Sequence, residues 1–259
     1  PMSSTQNTPA TIGDKKGMWA CLLVSALVIS LYYIPYGDYI LYPMMLVYTF
    51  VHEMGHGIAA MLTGGDFIKF EMWLDGSGVA TNALAVDAGR FARAFTAFGG
   101  LIAPAIMAAI SLLLARSAKA AKIGLIAFGV ICGLSLLLVV RNLFGFFFVL
   151  GCGLVSLALA LIPKNANVAR YSMLFIAITL LTAVFSRGDY LFVAEAQTAM
   201  GVMPSDTGQI AKQLFLPYWF WGGLIAVISI AILIFGVRGF FYSSKPNDAK
   251  PLPSDDAAA

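Results

Sequence analysis

The sequence predicts an all-α polytopic membrane protein with about seven transmembrane helices and a short β-hairpin after the second helix. Hydrophobic residues make up 60% of the 259 residues, charged residues only 11%, and the mean hydropathy is +0.85. Soluble domains carry about 25% charged residues, and a chain of this size cannot hide such a shortfall in its core. Lipid is therefore the expected solvent for most of the protein surface.

The charge of the chain bears on its partners. The formal net charge is +3 and the basic residues form no block, so no nucleic-acid partner is expected. We expect a lipid bilayer around the protein and a multi-pass location in a bacterial inner membrane. The positive-inside rule gives no orientation, because the basic residues divide evenly between the two sides of the predicted topology.

The first two spans are predicted in the N-terminal quarter of the chain. Residues 1–17 are polar and predicted to be disordered, and an apolar run follows over 18–36. This run could be a signal peptide, but its length and the lack of a small-residue cleavage site favour an uncleaved transmembrane helix. A second span is predicted over 39–63, closed by Gly64 and Gly65 in a helix-ending position.

Residues 66–86, DFIKFEMWLDGSGVATNALAV, differ in pattern from the apolar runs that precede them. Charged and apolar residues alternate before a Gly-rich turn that contains Asp75 and Gly76, and Val79 begins a second β-prone run. This pattern predicts a β-hairpin. A lone hairpin is marginal in stability, so we expect it to lean on the helical bundle or on a partner strand.

The remaining spans follow in the C-terminal two-thirds of the chain. Apolar runs predict helices over 91–114, 123–140, 143–162, 168–185 and 217–237. Arg141 and Asn142 interrupt a long apolar region, which favours a tight turn, with a membrane-buried polar pair as the alternative. Residues 186–213 are predicted to form short helices at the membrane edge. Residues 18–240 would thus form one membrane domain, and the tail 241–259 would be disordered.

One motif carries chemistry. His52, Glu53 and His56 match the pattern H-E-x-x-H, and these two histidines are the only ones in the chain. On a helix, positions i and i+4 share a face, so both imidazoles can reach one ion with the glutamate beside it. Two imidazoles, a carboxylate and an open position suit zinc. Ionisable groups in lipid are costly unless something pairs with them, which favours a metal site over chance.

Several segments resemble the M50B-like branch of the site-2 protease (M50) family of intramembrane zinc metallopeptidases. The resemblance rests on HEMGHGIAAMLTGG, LDGSGVAT, VVRNLFGFFFVL and MPSDTGQIAKQLFLPYWFW, and covers roughly residues 41–235. It implies Zn²⁺ held by His52 and His56, with Glu53 as the catalytic base. One departure is clear: many members take a third ligand from an Asn-x-x-Pro…Leu-Asp-Gly segment, whereas Asn142 here is followed by Gly145 and no aspartate.

The resemblance points to Asp206 as the third metal ligand, because this residue matches the Ser-Asp motif of the branch. The alternative is a helix cap, since PSDTGQ places Ser205 or Asp206 at a helix start with a glutamine three residues later. Other carboxylates have simpler explanations. Asp189 is typical of a loop charge or an ion pair, Glu195 of an interfacial charge, and Asp75 of a turn.

Two substrate-binding residues are also predicted. A helical substrate must be unwound before hydrolysis, and an exposed strand edge can hold it in extended form. Phe70, within the candidate edge 67–73, and the amide of Asn142 are the candidates. The alternatives are a hairpin that only packs and a turn residue with no contact to substrate.

These observations predict an intramembrane zinc metallopeptidase that hydrolyses peptide bonds of a membrane-spanning substrate. A second hypothesis is a catalytically idle, metallopeptidase-like subunit of a larger membrane complex, motivated by the absent Leu-Asp-Gly segment. A zinc or proton-coupled transporter is the third hypothesis, and H-E-x-x-H spacing favours it least.

Overall fold

The computed structural model describes residues 15–31, 33–165 and 167–241. The predicted disordered ends, 1–17 and 241–259, lie outside these residues except for Lys15–Gly17 and Phe241, which are helical. In the described part the chain forms eight α-helices, four strands and one 3-10 helix, in the following order. These are α1 (Lys15–Leu31), α2 (Gly37–Leu62), β1 (Asp66–Met72), β2 (Gly78–Ala83), α3 (Arg90–Leu114), α4 (Ala118–Leu138), α5 (Leu143–Leu161), α6 (Asn167–Ser186), the 3-10 helix (Gly188–Phe192), β3 (Glu195–Thr198), β4 (Gly201–Pro204), α7 (Asp206–Leu214) and α8 (Tyr218–Phe241).

Five segments among the described residues are long and apolar enough to cross a membrane. They are α3, α4, α5, α8 and the stretch Asn167–Phe192, which joins α6 to the 3-10 helix. A mostly helical membrane protein with a small hairpin is thus confirmed in outline, whereas the predicted number of about seven spans is not. The runs predicted at 18–36 and 39–63 lie largely within α1 and α2, and neither helix is among the five. Helix α1 has only 17 residues, and the polar H-E-x-x-H residues lower the hydropathy of α2.

Helix α3 packs against α2, α6, α7 and α8. Its crossing with α2 is close because glycines meet there: a Cβ on Gly55 would lie 2.5 Å from the Gly99 carbonyl oxygen, and one on Gly99 would lie 2.6 Å from that of Gly55. Small residues let two membrane helices bring their backbones together in this way. The crossing fixes the half of α2 that carries the two histidines against α3.

Strands β1 and β2 pair in an antiparallel manner, from Asp66 opposite Ala83 to Met72 opposite Gly78. The segment between α4 and α5 covers the other edge of β1: the Phe70 N–H donates to the Val139 carbonyl at 2.7 Å, and the Phe70 carbonyl accepts from Arg141 at 3.0 Å. The Phe70 side chain is completely buried. The predicted substrate edge is therefore closed at Phe70, because the chain's own backbone occupies it.

Asn142 also has a structural role. Its side-chain oxygen accepts from the Met72 N–H and from the Gly145 N–H, each at 3.2 Å, and its amide nitrogen donates to the Met72 carbonyl at 2.5 Å. The residue thus caps the start of α5 and ties it to the end of β1. The amide expected to hold a substrate strand holds β1 in this structure, and the turn between α4 and α5 takes the form favoured by the sequence.

The segment between α6 and α7 differs from the short helices predicted over 186–213. Only Gly188–Phe192 and α7 are helical there, and β3 and β4 form a second antiparallel hairpin with its turn at Gly201, whose φ is +106°. The tip of this hairpin meets the β1–β2 turn, since the Ala199 N–H donates to the Ser77 hydroxyl at 3.3 Å. The two hairpins therefore touch each other at their tips.

Candidate metal centre

Helix α2 places His52 and His56 one turn apart on its buried face. Their Nε2 atoms lie 3.1 Å apart, and each residue is only 8% exposed. His56 Nδ1 lies 2.8 Å from the Thr96 carbonyl oxygen and donates to it. Because that bond takes the Nδ1 proton, the lone pair on His56 Nε2 is left for another partner.

Asp206 approaches both imidazoles from α7. Its Oδ2 lies 3.1 Å from His52 Nε2 and its Oδ1 lies 3.3 Å from His56 Nε2. Both carboxylate oxygens of Asp206 therefore face the point where the two imidazoles converge.

The alternative to a ligand role for Asp206 was a helix cap, and the residue that caps α7 is Ser205. Its hydroxyl oxygen accepts from the Gly208 N–H at 3.0 Å, and the same hydroxyl donates to the Val193 carbonyl at 2.5 Å. Ser205 therefore anchors the start of α7, and the adjacent Asp206 carboxylate is free to face α2.

The three side chains fit a metal ion. One ligand atom from each of His52, His56 and Asp206 lies within 4.8 Å of the others, and all three residues are buried. A tetrahedral zinc ion with bonds of about 2.0–2.2 Å would place its ligand atoms about 3.3–3.5 Å apart. The observed separations of 3.1–3.3 Å are close to that spacing. The assignment of these three residues as ligands stays a prediction, and the geometry supports it.

Glu53 lies beside this cluster and faces β2. Its Oε2 accepts a hydrogen bond from the Ala80 N–H at 2.7 Å, and the residue is 7% exposed. The strand passes close to the glutamate, because a Cβ on Gly78 would come within 3.0 Å of Glu53 Cγ. A buried carboxylate beside these three side chains is positioned as a general base would be.

Two features of the site escaped prediction. Tyr190, from the 3-10 helix, donates its hydroxyl to Asp206 Oδ2 at 3.2 Å. Gly100 of α3 lies against the His56 ring, where a Cβ would come within 2.2 Å of Nε2. Neither residue has a local sequence signal, because each reaches the site only through tertiary packing: α3 packs against α2, and the 3-10 helix packs against α7.

A cavity of about 710 Å³ opens beside His52 and Glu53. Its walls come from α2, the β1–β2 turn, the end of α6, the 3-10 helix and β3. The volume falls in the range of about 300–1,000 Å³ that is usual for ligand sites. His52 and Glu53 of α2 thus face this space, whereas His56 and Asp206 lie behind its lining.

The other acidic candidates do not join the cluster. Asp75 accepts from the N–H and hydroxyl of Ser77, as expected for a turn residue. Asp189 is exposed and accepts from the Tyr190 N–H at 3.0 Å, and Glu195 is exposed on β3. Among the described residues, the only group of histidine, cysteine and acidic side chains with metal-ligand spacing is His52, His56 and Asp206.

A helical membrane bundle with an H-E-x-x-H helix and a converging carboxylate defines the class of membrane metallopeptidases. Residues 19–236 match the model of the family described as Peptidase M50B-like. The chain therefore belongs to this family, a branch of the M50 (site-2 protease) metallopeptidases, as the sequence motifs indicated. Comparisons with curated proteins and with solved structures give no match.

Proposed function

We propose that the protein is an intramembrane zinc metallopeptidase that hydrolyses peptide bonds of membrane-spanning substrates. The observation that carries the proposal is the convergence of His52, His56 and Asp206 beside Glu53. His52 and Glu53 also line the wall of the cavity. The membership in the M50B-like family and the five candidate membrane spans support it.

The proposal gives each residue a role. His52, His56 and Asp206 would hold the zinc ion, which when bound supplies the Lewis acidity that lowers the pKa of a water molecule and polarises a carbonyl group. Glu53 takes the proton of the attacking water and later passes it to the leaving amine. His56 is oriented for this task by Thr96, and Asp206 by its position at the capped start of α7.

The outer edge of β2 is the better candidate for holding an extended substrate. In an antiparallel pair of strands, two residues directly opposite each other either both point their N–H and carbonyl groups at the partner strand or both point them away from it. Because Phe70 turns its N–H and carbonyl away from β2, Ala80 opposite it turns away from β1, towards Glu53. A substrate segment added along this edge would bring a peptide bond near the proposed base.

Zinc content and cleavage by variants test the proposal. Purified protein in detergent should contain about one zinc per chain, and His52→Ala and Asp206→Asn should lose it. Glu53→Gln should keep the zinc but lose cleavage of quenched-fluorescence peptides that span the bilayer of proteoliposomes. Glu71→Gln is the matched control, because this glutamate pairs with Lys69 on β1 and does not belong to the metal-binding group.

Two results would contradict the proposal. If protein with an intact H-E-x-x-H motif contains no zinc after purification and binds none when zinc is added, the metal centre is excluded. A Glu53→Gln variant that supports the cellular phenotype lost on deletion would indicate the accessory role in a larger membrane complex.

A further inference from the structure

The phenol of Tyr190 reaches the candidate metal centre from the 3-10 helix, whereas the histidines come from α2 and Asp206 from α7. We propose that Tyr190 is a further catalytic residue: its hydroxyl donates to Asp206 while the site is free of substrate, and to the scissile carbonyl oxygen during hydrolysis. The inference rests on the proposed function and adds a residue to it.

The backbone of Tyr190 is held firmly. Its N–H lies 3.1 Å from the Arg187 carbonyl and 3.0 Å from Asp189 Oδ1. Helix α8 packs directly on the next residue, since a Cβ on Gly222 would lie 2.1 Å from the Leu191 carbonyl oxygen. Elements with little freedom hold a catalytic group more precisely than a loose loop does.

The ring of Tyr190 lies at the boundary between the metal-binding group and the cavity. The hydroxyl is 3.2 Å from Asp206 Oδ2, the same oxygen that lies 3.1 Å from His52 Nε2. The ring centroid is 6.2 Å from that of His52, and Tyr190 lines the cavity wall. A carbonyl group that reached the metal-binding atoms from the cavity would therefore come close to the phenol.

The hydroxyl suits the charge that develops in the reaction. When the water oxygen bonds to the carbonyl carbon, the π electrons move to the carbonyl oxygen, and Glu53 receives the proton of the water. A phenol O–H directed at that oxygen stabilises its negative charge by a hydrogen bond, and the phenol keeps its proton throughout. Rotation about the C–O bond is enough to turn the donor from Asp206 to the substrate.

Most other hydroxyls around the cavity form hydrogen bonds outside the metal-binding group. Six of them donate to the protein's own oxygen atoms: Tyr42 to Leu74, Thr49 to Gly76, Ser77 to Asp75, Thr179 to Phe175, Ser186 to Ala183 and Thr198 to Gly201. The ring of Tyr48 stacks on His52, but its hydroxyl has no hydrogen bond to Asp206. Among the described cavity residues, Tyr190 is thus the hydroxyl that reaches the metal-binding group.

Tyr190→Phe tests the inference, with Tyr48→Phe as the matched control. Both substitutions remove one phenol oxygen, and both rings lie 6.2 Å from the His52 ring. We expect Tyr190→Phe to lower kcat about 100-fold, as the loss of one oxyanion donor does, with KM changed less than about twofold. The zinc Kd, measured by competition with a chelator, should rise no more than about tenfold. Tyr48→Phe should keep kcat within about twofold of the wild type.

A phosphinate peptide supplies a readout that is independent of turnover, because its tetrahedral oxygens imitate the charged carbonyl oxygen. Tyr190→Phe should weaken its binding by about the same factor as kcat. An unchanged kcat, or a fall in activity that merely follows a loss of zinc, would overturn the inference. These results differ from a failure of the proposed function, in which the wild type itself lacks zinc or Glu53→Gln retains full activity.

Discussion

The carboxylate of Glu53 accepts a hydrogen bond from the Ala80 N–H at 2.7 Å, so the proposed general base is tied to the outer edge of β2. The same N–H is one that a substrate strand along this edge would use. The bond therefore couples the position of the base to the strand on which we expect the substrate to lie.

Replacement of the bonded N–H tests this coupling. Ala80→Pro removes the donor while leaving the pairing with β1 intact, because the N–H of Ala80 points away from β1. A hydrogen bond to a charged group contributes about 1.5–3 kcal/mol, so kcat/KM should fall about 10- to 100-fold with zinc content unchanged. Ala80→Ser keeps the N–H and should stay within about threefold of the wild type. Equal activities of the two variants would show that the bond has no catalytic role.

Gly100 is predicted to be essential for the position of His56. Gly100→Ala would place a methyl carbon 2.2 Å from Nε2, so the imidazole must move and the zinc Kd should rise about 10- to 100-fold. The matched control is Gly133→Ala in α4, where a Cβ has no neighbour within 4 Å. That variant should bind zinc like the wild type and be slightly more stable, since alanine is favoured over glycine in helices. Equal zinc affinity in both variants would contradict the prediction.

The part of the site that lies within one helix could be predicted from the sequence. His52, Glu53 and His56 follow from helical spacing and from the cost of polar groups in lipid. Asp206 came from a resemblance to a family, because no local rule connects it with α2. The second hairpin was missed since Glu195–Thr198 is rich in residues that also suit helices.

The surroundings of Phe70 and Tyr190 could not be predicted from the sequence, and the physical reason is the same for both. The exposure of a strand edge depends on what packs beside it, and the turn between α4 and α5 covers β1 at Phe70. A tyrosine next to a charged loop residue is ordinary in sequence, and Tyr190 becomes a site residue only because α8 and α7 bring it to Asp206. The coverage of β1 and the position of Tyr190 both depend on tertiary packing, which the spacing of residues in the sequence does not predict.

Asn142 is predicted to stabilise the fold and not to bind substrate. Asn142→Ala removes the cap of α5, which costs about 1 kcal/mol, and leaves the N–H and carbonyl of Met72 without their partner at about 1–3 kcal/mol each. The thermal midpoint in detergent should therefore fall, while KM measured at low temperature should stay within about twofold. A raised KM with an unchanged thermal midpoint would instead support the substrate contact predicted from the sequence.

The contact between the hairpin tips is predicted to control access to the cavity. The Ala199 N–H lies 3.3 Å from the Ser77 hydroxyl, and Ser77 and Thr198 both line the cavity. Ser77→Cys combined with Ala199→Cys should form a disulfide across this contact. Oxidation should then abolish cleavage of bilayer-spanning peptides without loss of zinc, and reductant should restore it. Each single variant treated with the same oxidant is the control for the native cysteines. Full cleavage by the cross-linked protein would show that substrates enter without separation of the two tips.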